Sequence, residues 1–271
     1  MWNTLSQMKK NLTGKKMYLT LAILFTFIMA LVITTVTIAN INIKAMNKIS
    51  ENALNIVKNN FEVSQIDLGK KSVIKLNAFI KFDVEQYDIK NVGNLSIMKV
   101  NLGLMQMFSF IITPIHKNIP LLSADYMYIL GKRKSYLEYY DLVETKDDTY
   151  CQLLNNLSAI ITNFDYLENV KIEPTWYFNL LTVKTFKSGK IKNDKDFKSL
   201  LENSLLEYCS FTKELNNLSD EKLLQKKEIT LDYTNGLIEK GGICTDIFKK
   251  SFGTEGTKCF FDEILFGTAN Y

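Results

Sequence analysis

The stretch Ile97–Val143, IMKVNLGLMQMFSFIITPIHKNIPLLSADYMYILGKRKSYLEYYDLV, constrains the fold of this chain more than any other. It reads as two strands around a proline-bounded loop, followed by a tight turn and a third strand. Leu104–Thr113 is almost wholly apolar, as a strand covered on both faces should be. Pro114 and Pro120, two of the chain's three prolines, bracket a short polar loop. Pro120–Leu130 is apolar again except for one carboxylate, Asp125, set between Ala124 and Tyr126. Gly131-Lys132-Arg133-Lys134 then turns the chain into Tyr136–Val143. An acid at a strand centre is costly to bury as an anion, so its pKa is expected to rise. A carboxyl that keeps its proton near neutral pH can serve as a general acid.

Before this stretch lies Met17–Ile43, which carries no charge. About 20 apolar residues cross a bilayer core, so the run is long enough for a membrane span. Thr37-Ile38-Ala39 makes a poor cleavage site, which favours an uncleaved anchor over a signal peptide. Lys9, Lys10, Lys15 and Lys16 precede the run, and Lys44 and Lys48 follow it. That imbalance leans towards a cytoplasmic N-terminus with the domain on the other side. The expected organisation is a basic tail (1–16), a transmembrane helix or signal anchor (17–43) and one domain (44–271), a single-pass membrane protein.

Within the domain, Asn47–Asn60 has a helical apolar face, and Val73–Phe82 and Asp83–Ile89 suggest the first strands. Cys151–Phe164 reads as a helix, Trp176–Phe186 as an aromatic strand, and Asp196–Leu218 as a long amphipathic helix. Asp220–Tyr233 continues after a break at Ser219-Asp220, and Gly241-Gly242 interrupts. Ile243–Ser251 resumes the helix, Gly253 can cap it, and Phe260–Phe266 closes the chain. Strands in the middle flanked by helices predict a mixed sheet with helices on both sides.

Several chemistries lose their support. The chain has no GxGxxG, Walker loop, GxSxG or HExxH. Its single histidine, His116, rules out most histidine metal sites and leaves a Ser-His-Asp triad hard to build. His116 sits in the proline-bounded loop, where it can touch a ligand. A net charge of +4, with no basic stripe, gives no ground for nucleic-acid binding. Cys151, Cys209, Cys244 and Cys259 form no CxxC pair and read as free, buried thiols. Asp147-Asp148 and Asp194-Lys195-Asp196 read as solvated loops. Lys184, Lys187, Lys190 and Lys192 form a cluster on which an acidic electron carrier could dock. Asn156-Leu157-Ser158 and Asn217-Leu218-Ser219 are sequons, which matter only in an exoplasmic domain.

The organising stretch resembles the ferredoxin-dependent bilin reductases, a family with red chlorophyll catabolite reductase as a distant relative. The likeness rests on Phe110-Ile111-Ile112-Thr113-Pro114, on Ile119-Pro120-Leu121-Leu122-Ser123-Ala124-Asp125 and on Tyr140-Asp141-Leu142-Val143. It continues in Pro174-Thr175-Trp176 with Phe178, in Ile247–Gly253, and in Ile264-Leu265-Phe266. Order and spacing fit over roughly 47–266. The resemblance implies a three-layer α/β/α sandwich with a central, mainly antiparallel sheet and a linear tetrapyrrole between sheet and C-terminal helices. It also implies no bound metal or flavin, and electrons delivered singly by reduced ferredoxin. Asp125 becomes the proton donor, and Ser109, Ile111, Leu122, Tyr126 and His116 become substrate-binding residues. The chain departs from the family in four places. Ser109 stands where the family has His or Asn. The second acidic position falls near Gly241-Gly242, and Asp246, a turn further on, is the candidate catalytic acid in its place if the loop is re-registered. The loop around Leu102-Gly103 is shortened, and an anchor is added. Two other readings stay open: a tetrapyrrole-binding module without chemistry, and an exoplasmic domain that meets another protein. A reductase would need its domain in the cytoplasm or a plastid, where ferredoxin is.

Overall fold

Nothing between Met17 and Asn60 is glycine or proline, and helix α1 (Trp2–Asn60) runs unbroken through that range. The computed structural model describes residues 2–75, 80–242 and 245–271, with side chains from Met17 onward. From Met17 to about Asn40 most of the helix is exposed, Phe25 and Phe27 among its large apolar side chains. Thr26, Thr34 and Thr37 satisfy their hydroxyls on the carbonyls of Ala22, Ala30 and Ile33, at 2.8–2.9 Å. The stretch is long and apolar enough to cross a membrane. From Asn42 onward one face turns inward. Met46, Ile49, Ala53 and Val57 recur at helical spacing and are buried. The expected boundary at residue 44 thus falls in mid-helix.

The sheet comprises β1 (Val63–Ile66), β2 (Val73–Lys75), β3 (Lys81–Ile89), β4 (Gly93–Asn101), β5 (Met105–Pro114), β6 (Leu121–Ile129), β7 (Lys132–Tyr140), β8 (Glu168–Asn169) and β9 (Leu181–Lys190). Its order is β1-β3-β4-β5-β6-β7-β9-β8, with β2 also on β3. Every pairing among the described residues is antiparallel, which corrects the expectation of a mixed sheet. Consecutive strands joined by short turns need no crossover helix. Among the described residues four more α-helical segments complete the fold: α2 (Asp148–Thr162), α3 (Asp194–Glu214), α4 (Asp220–Lys240) and α5 (Thr245–Phe260), the last kinked at Gly253 (φ +72).

Two cores result. On one face Met46–Val57 of α1 packs with α2 and α3 against Leu95, Phe108, Phe110, Leu122, Tyr126 and Tyr139. On the other, α4, α5 and the segment Phe261–Phe266 cover Met98, Ile111, Leu121 and Tyr140. Burying each such side chain contributes about 1.5–3 kcal/mol. The result is an α/β/α sandwich with one long apolar helix at its N-terminal side.

Other expectations need correction. The sequence reading missed β4, because Asn94 and Ser96 break its apolar pattern. Both are buried polar residues that hold the C-terminal backbone. The aromatic strand expected at Trp176–Phe186 begins only at Leu181, and Phe178–Leu180 is a 3-10 turn. Asp147 caps α2, accepting from Tyr150 N at 2.8 Å. Asp194 pairs with Arg133 at 2.5 Å, so these acids are structural as well as solvated. Lys187 is buried against Asp165 and Asn169, and so leaves the proposed docking cluster. Cys209 is buried, but Cys151 and Cys259 are exposed free thiols. Cys244, with Ile243, lies outside the described residues, as do positions 76–79 of the expected first strand.

Candidate functional site

Side chains alternate across a strand, so parity decides which residues meet the C-terminal layer. On β5 that face carries Met107, Ser109 and Ile111; on β6, Ser123 and Asp125; on β7, Glu138 and Tyr140. With Met98 of β4 they floor a narrow cavity with room for about 70 Å³. The roof is Tyr233 and Leu237 of α4, Thr245 and Phe248 of α5, and Phe261, Leu265 and Phe266. The mostly apolar lining with a few polar groups is the usual chemistry of a small-molecule site, although the space itself is far smaller than the ~300–1,000 Å³ such sites enclose.

Buried polar contacts hold the roof in place. Gln86 Nε2 donates to Glu263 O at 2.8 Å and to Asn94 Oδ1 at 2.7 Å. Ser96 Oγ donates to Leu265 O at 2.6 Å. Gly267 (φ +64) follows at once, and a Cβ there would stand 2.4 Å from Asn94 Cγ. Only glycine lets the chain turn this close to the sheet. Trp176 fixes the other side of the roof. Its Nε1 donates to Gly241 O at 2.7 Å, and its ring lies where a Cβ on Gly236 would fall. The Pro174-Thr175-Trp176 motif is therefore a clamp on α4.

Asp125 is half-buried and faces the cavity. Ser109 Oγ donates to its Oδ1, and Ser123 Oγ to its Oδ2 at 3.4 Å. Burial pushes its pKa up, and the two serine hydrogen bonds only partly offset this by favouring the anion. Beside it stands an acid that the sequence reading did not single out. Asp125 pairs with Tyr136 in the register, and Glu138, two residues on, shares the same face of β7. Burial first, and then the charge of Asp125, raise the Glu138 pKa from 4.5 to about 7. Tyr140 Oη donates to Glu138 Oε2 at 3.0 Å, and the Tyr140 ring lies 4.9 Å from that of Tyr233. Two neighbouring carboxyls of raised pKa, Glu138 at about 7, form a pair of the kind that exchanges protons in active sites.

The structure brings Ser109, Ile111 and Asp125 together but not the other expected site residues. Leu122 and Tyr126 have the opposite parity and pack in the α1–α3 core, where Tyr126 Oη donates to Phe197 O at 3.2 Å. His116 sits beyond the sheet end, 5.5 Å from the Tyr271 ring and outside the cavity, with its pKa lowered by burial. Asp246 is exposed on the first turn of α5, although its neighbour Thr245 lines the cavity. Asp141, of the Tyr140-Asp141-Leu142 motif, accepts from Tyr150 Oη (2.8 Å), Lys146 Nζ (2.6 Å) and Thr182 Oγ1, and so ties β7 to α2 and β9. Among the described residues no group of three or more His, Cys, Asp or Glu could hold a metal. Glu138 and Tyr177 also line an adjoining cleft of about 280 Å³, which Lys134 and Lys171 line as well.

An antiparallel sheet between helical layers, with an acid-floored cavity under its C-terminal helices, has the fold of the bilin reductases. A solved structure with this fold is phytochromobilin synthase from tomato, in complex with biliverdin. It is 14% identical over 83% of each chain, with a TM-score of 0.68. No protein-family model and no curated protein sequence matches the chain.

Proposed function

We propose that this chain is a membrane-anchored reductase of an open-chain tetrapyrrole, taking electrons from reduced ferredoxin. The observation that carries this reading is Asp125 on the cavity floor, a carboxyl whose pKa burial raises, beneath a mostly apolar roof. Fold similarity to a protein that holds biliverdin supports the ligand class. Reducing one double bond takes two electrons and two protons. Ferredoxin supplies the electrons one at a time, and Asp125 supplies a proton to the radical formed after the first. Glu138, within reach on the next strand, supplies or relays the second. Lys134 and Lys171, which line the adjoining cleft, suit the carboxylates of a bilin. Met17–Asn40 holds the chain in the bilayer.

The test is an absorbance titration of the full chain with biliverdin, followed by anaerobic addition of reduced ferredoxin. A shifted band that changes on reduction is expected, and Asp125→Asn should keep the shift while lowering turnover at least 100-fold, a typical general-acid contribution. Undiminished turnover in Asp125→Asn would remove its role. A band that shifts but never changes would leave a binding module, the reading favoured by serine at position 109, which cannot donate a proton comparably.

A further inference from the structure

We propose that the end of the sheet around Asn42 is a second membrane-contact surface, a ring of exposed aliphatic and lysine side chains resting on an anionic lipid headgroup layer. It rests on the reading of Met17–Asn40 as a span. The exposed apolar stretch of α1 ends at Ile41, and Asn42 Nδ2 donates to Leu130 O at 3.0 Å. Leu130 N in turn donates to Leu104 O at 3.0 Å, and Ile191 N to Gly131 O at 3.2 Å. The β4–β5 tip, the β6–β7 tip and the turn after β9 are thus gathered beside the point where the helix leaves its apolar stretch. Helical rise puts residues 40–44 within about 6 Å along the axis, comparable to one headgroup layer.

Each tip turns an aliphatic side chain outward: Leu104 is 51%, Leu130 43% and Ile191 37% exposed. Leu130 does so at φ +53, a conformation that disfavours a leucine. Around them Lys44, Lys132, Lys190, Lys192 and Lys195 are exposed. The acids nearby, Asp194 and Asp196, are half-buried and engaged, one by Arg133, the other by Tyr166 and Asn193. Aliphatic tips within a cationic ring are the chemistry of an interfacial contact with acidic lipid. Lys190 and Lys192 therefore belong to the lipid surface and not to an electron carrier.

The test places nitroxide labels on Leu104→Cys, Leu130→Cys and Ile191→Cys in the full chain, with the native cysteines replaced by serine, or by alanine at buried Cys209. The protein is reconstituted into vesicles of phosphatidylcholine with phosphatidylglycerol. Thr145→Cys, exposed beyond the far end of β7, reports free solution, and Phe25→Cys reports the bilayer interior. We expect the three tips to be several-fold less accessible than Thr145 to a water-soluble relaxing agent, with the protection reduced in phosphatidylcholine alone. Tips as accessible as Thr145, while Phe25 is lipid-buried, overturn this surface and leave the anchor standing. An accessible Phe25 overturns the anchor itself. Protection that grows with protein-to-lipid ratio assigns the surface to a second copy and overturns the lipid reading.

Discussion

Glu138 is held near pH 7 against an ordinary 4.5 by burial and by the neighbouring charge of Asp125. The folded chain therefore keeps a proton that the unfolded chain releases above about 4.5. This costs nothing below that value, and stability falls as pH rises from about 4.5 to about 7, by about 3 kcal/mol in total, and levels off above. Glu138→Gln removes the charge, so its melting temperature should exceed that of the parent at about pH 8 and match it at about pH 4. A parent profile that does not decline between about pH 4.5 and pH 7 would contradict the burial of this acid. Asp125 was legible in the sequence because it stands alone among apolar neighbours. Glu138 was not, because Lys132-Arg133-Lys134-Ser135-Tyr136-Leu137-Glu138 reads as an outward-facing polar strand. Only the pairing of β6 with β7 shows that its even-numbered side chains reach the cavity.

The junction between α1 and the sheet depends on one buried cluster. Arg133, 2% exposed, donates from Nη1 to Asn42 Oδ1 at 2.7 Å and grips Asp194 with Nε and Nη2. Asn42 Nδ2 in turn reaches Gln106 Oε1 at 2.9 Å. Arg133→Ala leaves Asp194 and Asn42 without their partner and should cost about 3 kcal/mol or more, read by urea unfolding. A loss under 1 kcal/mol would mean that water replaces the guanidinium. This cluster was invisible in the chain order, since its hydrogen-bonded pairs are 61 to 91 residues apart. The helices were easier to read, because α2 and α3 bury residues at helical spacing and so declare one face each. Strand ends were harder: β4 and β9 carry buried Asn, Ser and Lys whose partners come from distant segments.

Over the whole molecule, α1 joins the core from Asn42 onward, whereas Met17–Asn40 does not. A chain beginning at Ile41 keeps Asn42 and the Met46–Val57 face. One beginning at Phe61 strips a layer from the sheet and exposes Leu95, Phe108 and Phe110. The first should retain native near-ultraviolet circular dichroism and leave the membrane fraction; the second should aggregate or lose that signal. Equal behaviour of the two would show that α1 adds nothing to the fold. The sandwich was legible from strands lying between helical segments, but its all-antiparallel order was not read from them, and only the family resemblance implied a mainly antiparallel sheet. That α1 belongs to both the apolar stretch and the core was not, because a change of surroundings halfway along a helix leaves its propensity untouched.

An unbroken helix also transmits angle. With no glycine, proline or loop between Phe25 and the Asn42 clasp, each residue fixes about 100° of rotation. For a chain seated in a bilayer, the azimuth at which the cavity mouth faces its surroundings is then an arithmetic property of chain length. One residue inserted after Asn40 would swing the domain more than a quarter turn about the axis of its own anchor, and four would nearly restore it.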